Sequence, residues 1–466
     1  MPQTTSCEKG ISFQECELAI LRTQVDQAKE KMARRVVNSP DIKHMVSIVE
    51  EFLEKKKLIC YGGTALNNIL PEEDQFYDRE TEIADYDFFS PNALEDTKEL
   101  ADIFHKNGYE EVEAKAGTHH GTYKVFVNFL GIADITYLPK ELFDALKKEA
   151  IPIAGILYAP PNYLRMSIYL ELSRPAGDVD RWTKVWERLQ LLNKNYPLEL
   201  GECQKIQYQR PMAHDVQDED IIYDTVKSTL VNQGVVFFGG YAISEYSKYM
   251  PKNLQKKLGK IPDFDVIARH PKMVAEILKE RLHDVGVKNV KIVQHDAIGE
   301  IVPENYEVIV GKEDTLVFIY APVACHSYNV IKEDGKKIRI ATIDTMLSFY
   351  LAFIFAPRKI YQQFRQRILC MAKFLFDVQQ KNRLKQKGLL KRFSILCYGH
   401  QDTKEDIRAQ KAKKFKELEK DSSEYEEWFL RYRPSERLGA PKSKSRSTRK
   451  APQNKRKTKK RKSLFF

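Results

Sequence analysis

Leu58-Ile-Cys-Tyr-Gly-Gly-Thr-Ala-Leu-Asn67, followed after a charged loop by Ile83-Ala-Asp-Tyr-Asp-Phe-Phe89, governs the reading of the whole chain. The first half is an apolar run entering a Gly-Gly turn. It predicts a strand, a turn at Gly62 and Gly63, and a helix opening at Thr64. Glycine lets the backbone approach a ligand closely, and a helix N-terminus presents free N–H groups to anions, so Gly62, Gly63 and Thr64 form a candidate phosphate cradle. The second half predicts a strand carrying Asp85 and Asp87. Residues two apart on a strand point to one face, which leaves Tyr86 and Phe88 on the other. Two carboxylates side by side repel unless a cation lies between them. Mg²⁺ (or Mn²⁺) is the expected one, because it takes oxygen ligands and usually brings substrate phosphates with it.

A two-metal site generally needs a third acid. Asp134 is the candidate, in the β-rich run Lys124-Val-Phe-Val-Asn-Phe-Leu-Gly-Ile-Ala-Asp-Ile-Thr-Tyr-Leu138. Alone, an Asp-x-Asp commonly ends an exposed strand and a Gly-Gly is simply a turn; order, spacing and strand context together give them meaning. The set resembles the polymerase-beta-like nucleotidyltransferase superfamily. Tyr61 to Asn67, Asp85-Tyr-Asp-Phe-Phe-Ser-Pro91 and Leu172-Ser-Arg-Pro-Ala-Gly-Asp-Val-Asp-Arg-Trp-Thr-Lys-Val185 more narrowly resemble the poly(A) polymerase catalytic subunit of large cytoplasmic DNA viruses, most specifically over 55–195. The resemblance implies a viral protein of the virion and host cytoplasm that adds AMP from ATP to an RNA 3′ end. It makes Asp85, Asp87 and Asp134 the catalytic and metal-binding acids and puts Arg165 near the nucleotide. It also implies either a viral processivity subunit or a homodimer.

Val179, Trp182, Val185, Trp186, Leu189 and Leu192 make an apolar helical stripe, with Arg181, Lys184 and Arg188 stacked on the opposite side. A row of cations on a helix is ordinarily a solvated face. Here it follows the acidic strands, and a triphosphate needs positive partners, so Lys184 is a candidate ligand. His119 and His120, flanked by glycines, read as a plain turn.

The pattern then recurs. Val235-Val-Phe-Phe-Gly-Gly-Tyr-Ala-Ile-Ser244 mirrors the first Gly-Gly turn and Asp263-Phe-Asp-Val-Ile267 mirrors the first acid pair, Gly-to-Asp spacings being 22 and 23 positions. Met346 to Leu351 echoes Arg165 to Leu170. In the second copy Cys325, or His326 with a shift of one, is expected where the third acid should be. The expectation is an α+β chain with a duplicated nucleotidyltransferase fold, a mixed sheet with flanking helices in each copy and a degenerate second copy. Its parts are a helical segment over 1–40, a catalytic domain over 41–200, a degenerate domain with C-terminal helices over 201–435, and a disordered basic tail over 436–466.

The chain has 466 residues and a net charge of +11, and twelve Lys or Arg without an acid lie between Pro441 and Phe466. Such a tail binds phosphodiester backbones without reading bases, or serves nuclear entry. Lys373, Lys381, Arg383, Lys385, Lys387, Lys391 and Arg392, mixed with Phe374, Phe376 and Phe393, are read as an RNA-facing surface or as an ordinary wet helix face. Seven scattered cysteines with no Cys-x-x-Cys pair read as reduced thiols rather than a disulfide framework or a zinc site. No signal peptide is read, and the apolar run Met346 to Pro357 is shorter than the ~20 residues a membrane span requires. Template-independent polyadenylation is the expected function. The alternatives are another RNA terminal nucleotidyltransferase (CCA or uridylyl) and a non-catalytic RNA-binding or processivity subunit.

Overall fold

The computed structural model describes residues 12–198, 203–210, 212, 219–256, 259–382 and 385–438; Cys7, Arg383 and the basic tail beyond Leu438 lie outside the described residues. Ser12 and Glu15 form the capping box that starts α1 (Phe13–Val37), and Ser39 caps α2 (Pro40–Lys56) with proline in its first turn. Helix α2 buries Ile42, Met45, Val49, Phe52 and Leu53, whose three- and four-residue spacing makes one face. Of α1 only Val37 is buried. Phe13, Ile20, Leu21, Val25 and Met32 stay open to solvent. Capping and periodicity specify a helix, but its burial needs a partner.

The first half of the chain continues through β1 (Ile59–Tyr61), α3 (Gly62–Ile69), β2 (Tyr86–Ser90), α4 (Ala93–Lys106), β3 (Val112–Ala116), β4 (Thr122–Val127), β5 (Leu130–Tyr137), α5 (Lys140–Glu149), β6 (Ile151–Ile153), β7 (Ile156–Tyr158), α6 (Pro161–Leu172) and α7 (Trp182–Asn195). The second half begins with α8 (Glu219–Asn232), β8 (Val236–Phe237), α9 (Gly239–Ser247), β9 (Phe264–Ile267), α10 (Pro271–Asp284), β10 (Lys291–His295), β11 (Asn305–Val310) and β12 (Asp314–Tyr320). It closes with β13 (His326–Glu333), β14 (Lys336–Ala341), α11 (Ile343–Phe353), α12 (Lys359–Gln363), α13 (Arg365–Lys381), β15 (Cys397–Tyr398), α14 (Lys404–Glu417), α15 (Ser423–Phe429), β16 (Arg431–Tyr432) and α16 (Pro434–Leu438).

These strands form two eight-stranded mixed sheets, ordered β16-β3-β4-β5-β2-β1-β7-β6 and β10-β11-β12-β9-β8-β14-β13-β15. Their centres match strand for strand. In the first, β5 and β2 are parallel, β2 and β1 antiparallel, and β1 and β7 parallel. In the second, β12 and β9 are parallel, β9 and β8 antiparallel, and β8 and β14 parallel. The repeat read in the sequence is therefore a duplicated sheet, down to strand direction.

The two copies meet through equivalent helices. Helix α6 packs on α11, and Tyr163 meets Phe355 edge-on with ring centroids 5.5 Å apart. Of the C-terminal elements, expected to go with the second copy, α13 packs there on α11 and α9, while the last segment crosses to the first: β16 pairs with β3 as the edge of the first sheet, and the Trp428 ring lies tilted against His120, centroids 4.3 Å apart. Covering a sheet edge removes a row of unpaired N–H and C=O groups, a gain invisible in local sequence. Among the described residues no helix is long and apolar enough to cross a membrane.

The reading of the cysteines as reduced thiols is corrected. Cys203 pairs with Cys370 and Cys325 with Cys397, over separations of 167 and 72 residues, while Cys60 is free and buried. Partners so far apart in sequence have no spacing signature; only folding brings their Cα atoms to 5.4 and 5.1 Å.

His326 follows one of these cysteines, wholly buried against Phe349. Burial, and then the charge of Arg174, push its pKa down to about 3. A base depressed on folding releases a proton that the unfolded chain holds below its ordinary value of about 6.5, so stability falls as pH drops below that value. The slope from this one group is about 1.4 kcal/mol per pH unit. Denaturant unfolding of His326→Leu between pH 6.5 and 4.5 should show a pH slope shallower by that amount than the wild-type chain; equal slopes would mean that His326 does not stay neutral in the fold.

Candidate active site

Three backbone registers assemble the site. Antiparallel pairing of β1 with β2 sets Tyr61 beside Asp87, so the chain turns at Gly62 directly against that carboxylate. Parallel pairing of β2 with β5 sets Asp87 beside Asp134. Antiparallel pairing of β5 with β4 sets Asp134 beside Lys124. Asp85 lies one residue before β2, and its carbonyl accepts a 2.6 Å hydrogen bond from the Thr64 hydroxyl, which fixes the loop to the first turn of α3.

Gly62 has φ +73°, and a Cβ there would come within 2.6 Å of Asp87 Oδ2. Only glycine serves at this position, on both counts. Gly63 is covered by the Tyr77 hydroxyl and by Arg188, whose Nη1 lies 3.0 Å from where a Cβ would stand. Arg188 is held there by a 2.9 Å hydrogen bond to the Tyr77 hydroxyl and by stacking on Phe76 at 4.5 Å. A guanidinium thus stands at the N-terminus of α3, where backbone N–H groups already favour an anion.

The acids feel one another. Burial, then the charges of Asp85 and Asp134, push Asp87 up to about 7. Burial, then Asp134, also raises Asp85. Lys124 opposes both shifts and is ion-paired with Asp134. Arg181, paired with Glu171 at 3.1 Å, also draws Asp87 down. Three carboxylates with a deficit of positive charge, all oxygen donors beside a phosphate-sized turn, fit Mg²⁺ or Mn²⁺. They do not converge on a single ion-sized point. Among the described residues the acid and histidine cluster that does is His400, Asp402 and Asp406, where Asp406 already caps α14 through Thr403.

The sequence-predicted residues thus divide. Asp85, Asp87, Asp134, Gly62 and Gly63 come together, and the Thr64 side chain serves the Asp85 loop. Lys184 is exposed on the same face of α7 as Arg188. Arg165 does not open onto this site, contrary to expectation. It is 1% exposed, and its guanidinium donates to Asn193 Oδ1 at 2.8 Å, to Asn162 Oδ1 and to the Tyr196 carbonyl, tying α6 to α7. The sequence reading passed over Lys124, a lone cation in an otherwise apolar strand. It ranked Arg188 below Lys184 because the Phe76-Tyr77 shelf that holds it lies in the loop read as merely charged.

The second copy repeats the arrangement with a different cation. Gly239 sits against Asp265 as Gly62 does against Asp87. The Arg210 backbone N–H and Nε donate to Asp263 at 2.7 and 2.6 Å, and its guanidinium stacks on Phe318 at 4.7 Å. Parallel pairing sets Phe318, not Cys325 or His326, beside Asp265, the place Asp134 takes beside Asp87. Taken as one strand, the run from Lys124 to Leu138 hides the β4–β5 hairpin, which shifts the matching position along the second copy. Here the third acid is a phenylalanine and a protein side chain neutralises the remaining pair.

Gly62→Ala tests the close approach. It should fold with a loss of about 1–2 kcal/mol from the left-handed backbone and should lose most of the thermal stabilisation that Mg²⁺ or Mn²⁺ gives the wild-type chain, whereas an unchanged metal response would separate Gly62 from the acids.

Residues 47–178 match the family model described as the poly(A) polymerase catalytic subunit. Curated relatives include a putative poly(A) polymerase catalytic subunit of African swine fever virus, 32% identical over 188 residues, or 39% of each chain. Another, from Acanthamoeba polyphaga mimivirus, is 35% identical over 161 residues, 33% of this chain and 27% of the relative. The matched stretch therefore spans well under half of these relatives. Over 94% of its length the chain superposes on 89% of the Megavirus polyadenylate synthase crystal structure, with TM-score 0.76 and 22% identity, a likeness of fold. The part of the chain that this family model matches, residues 47–178, carries all three aspartates.

Proposed function

We propose that the chain is a template-independent poly(A) polymerase that adds AMP from ATP to RNA 3′ ends. The carrying observation is the register that sets Asp134 beside Asp87 against the Gly62 turn, with Asp85 coupled to both by charge. The Gly62-Gly63 turn and the α3 N-terminus receive the triphosphate, and Arg188 takes the phosphate-facing role first given to Lys184, which stands one turn away as an outer cation. Asp85, Asp87 and Asp134 would hold a metal ion pair, whose positive charge would favour ionisation of the primer hydroxyl and offset that of the departing pyrophosphate. The 3′ oxygen attacks the α-phosphorus in line; a new phosphodiester bond forms as the bond to the bridging oxygen of pyrophosphate breaks. Lys124 holds Asp134 in place until the site is loaded.

Extension of a labelled oligo(A)-ended RNA with each of the four NTPs and Mg²⁺ or Mn²⁺ tests the reading. ATP should be used selectively, and Asp134→Ala should lower the rate at least about 100-fold. Selective use of CTP or UTP would make the chain a different terminal transferase, and RNA binding without extension would make it a binding subunit. On the same assay Arg188→Ala should raise KM for ATP about tenfold, the loss of one charge-assisted hydrogen bond. Lys184→Ala should change it less than Arg188→Ala.

A further inference from the structure

A second chamber, of about 510 Å³, lies between the two copies on the other side of α7. Trp186, Gln190 and Asn193 line it at i, i+4 and i+7, whereas Arg181, Lys184 and Arg188 occupy the opposite face towards the acids. A full helix thickness therefore separates it from the triphosphate cradle. Its far wall is Arg392 and Phe393. Arg392 gives two hydrogen bonds, of 3.1 and 2.6 Å, to the buried carboxylate of Asp344, and its guanidinium lies in the corner made by the Trp186 ring at 4.9 Å and the Phe393 ring at 4.6 Å. The one charge in the wall is thus neutralised and its flat face fixed. Phe393 is held at φ +53°, a strained backbone for a bulky side chain and a mark of functional sites.

The remaining polar groups are amides and the Tyr169 hydroxyl. Gln190 and Gln380 stand exposed at the mouth. An uncharged corner of indole and phenyl set at 87° to one another, with the guanidinium against both and amides at its edge, suits a nucleobase: a base stacks on one ring and meets the other edge-on, and each amide offers both a donor and an acceptor. The residues beside the lining are cationic and exposed, namely Lys381, Lys385, Lys387 and Lys391. Among the described residues the lining holds no glycine and no acid, so the chamber is not built for a triphosphate with its metal. Exposed lysines around a stacking platform instead track a single-stranded backbone.

We propose that this chamber takes one base of the single-stranded RNA primer, upstream of its 3′ end, while the lysines at its mouth hold the adjoining phosphates. This rests on RNA being the primer, as read above. It also separates the basic positions of residues 373–392 by role, since Lys373 is paired with Asp377, Arg392 belongs to the chamber wall, and the four exposed lysines face the strand.

The test uses the full chain and fluorescence anisotropy of labelled oligo(A) RNA of three and fifteen nucleotides, with a set of fifteen-mers each made abasic at one position. In Gln190→Leu/Gln380→Leu, which alters two exposed side chains and should keep the wild-type melting temperature, the Kd for the fifteen-mer should rise about tenfold, with the trimer Kd and the KM for ATP unchanged. One abasic position should weaken the wild-type complex about as much and have no further effect in the variant. A variant that binds the fifteen-mer as the wild type does would overturn the proposal, as would a change confined to the KM for ATP, which would mark a free-nucleotide subsite. Binding is read without turnover, so the two readings fail separately. Absent AMP addition with weakened RNA binding in the variant would remove the polymerase reading alone. Intact AMP addition with unchanged RNA binding would remove the chamber alone.

Discussion

The packing of α6 on α11 is the contact from which both chambers of this protein follow. Each helix leaves the end of its own central strand layer, and both carry the same Ser-x-Tyr-Leu core, at Ser167 to Leu170 and Ser348 to Leu351. Because the helices are equivalent, their union sets two copies of one sheet around a shared apolar seam. Helix α7 then lies over the seam with one face to the acids and the other to Phe393 and Arg392. Arg165, buried where α6 meets α7, fixes that helix through three acceptors. Its role in the site is thus one of position.

The two copies show how one backbone problem has two chemical solutions. In both, a glycine at positive φ brings a turn against an aspartate, and in both a second aspartate precedes the same strand. Buried carboxylates side by side are unfavourable without positive charge. The second copy supplies it from within, through Arg210 on Asp263 with Arg367 nearby, and a phenylalanine closes the position of the third acid. The first copy supplies Lys124, pulled to one side on Asp134, and Arg181, already paired with Glu171, and Asp87, raised by burial and by two neighbouring acids, keeps a pKa near neutrality. Burial raises Asp265 as well, but there Arg210 and Arg367 draw it down, so the balance of neighbouring charge distinguishes a site that wants a divalent cation from one already partnered.

Much of this was legible in the chain. Gly-Gly turns, Asp-x-Asp pairs at matched spacing and apolar strand runs specify the repeat through local rules, since φ preference and the two-residue strand period act over a few positions. The Ser12 capping box and the Ser39-Pro40 cap set where α1 and α2 begin for the same reason. Not legible was anything set by pairing across the fold. The register that puts Phe318 beside Asp265, the return of β16 to the first sheet, the cysteine pairs and the Phe76-Tyr77 shelf under Arg188 each join segments whose separation carries no periodic signal.

The sequence by itself determined the fold type, the duplication and the three aspartates, because each is written in residues whose chemistry admits few alternatives in so short a span. Tertiary structure decided which cations serve those acids. A lysine or arginine has four or more rotatable bonds and the same charge wherever it stands, so Arg188 at the turn, Arg165 in the core and Arg392 in the chamber wall are alike in sequence and differ only in what packs around them.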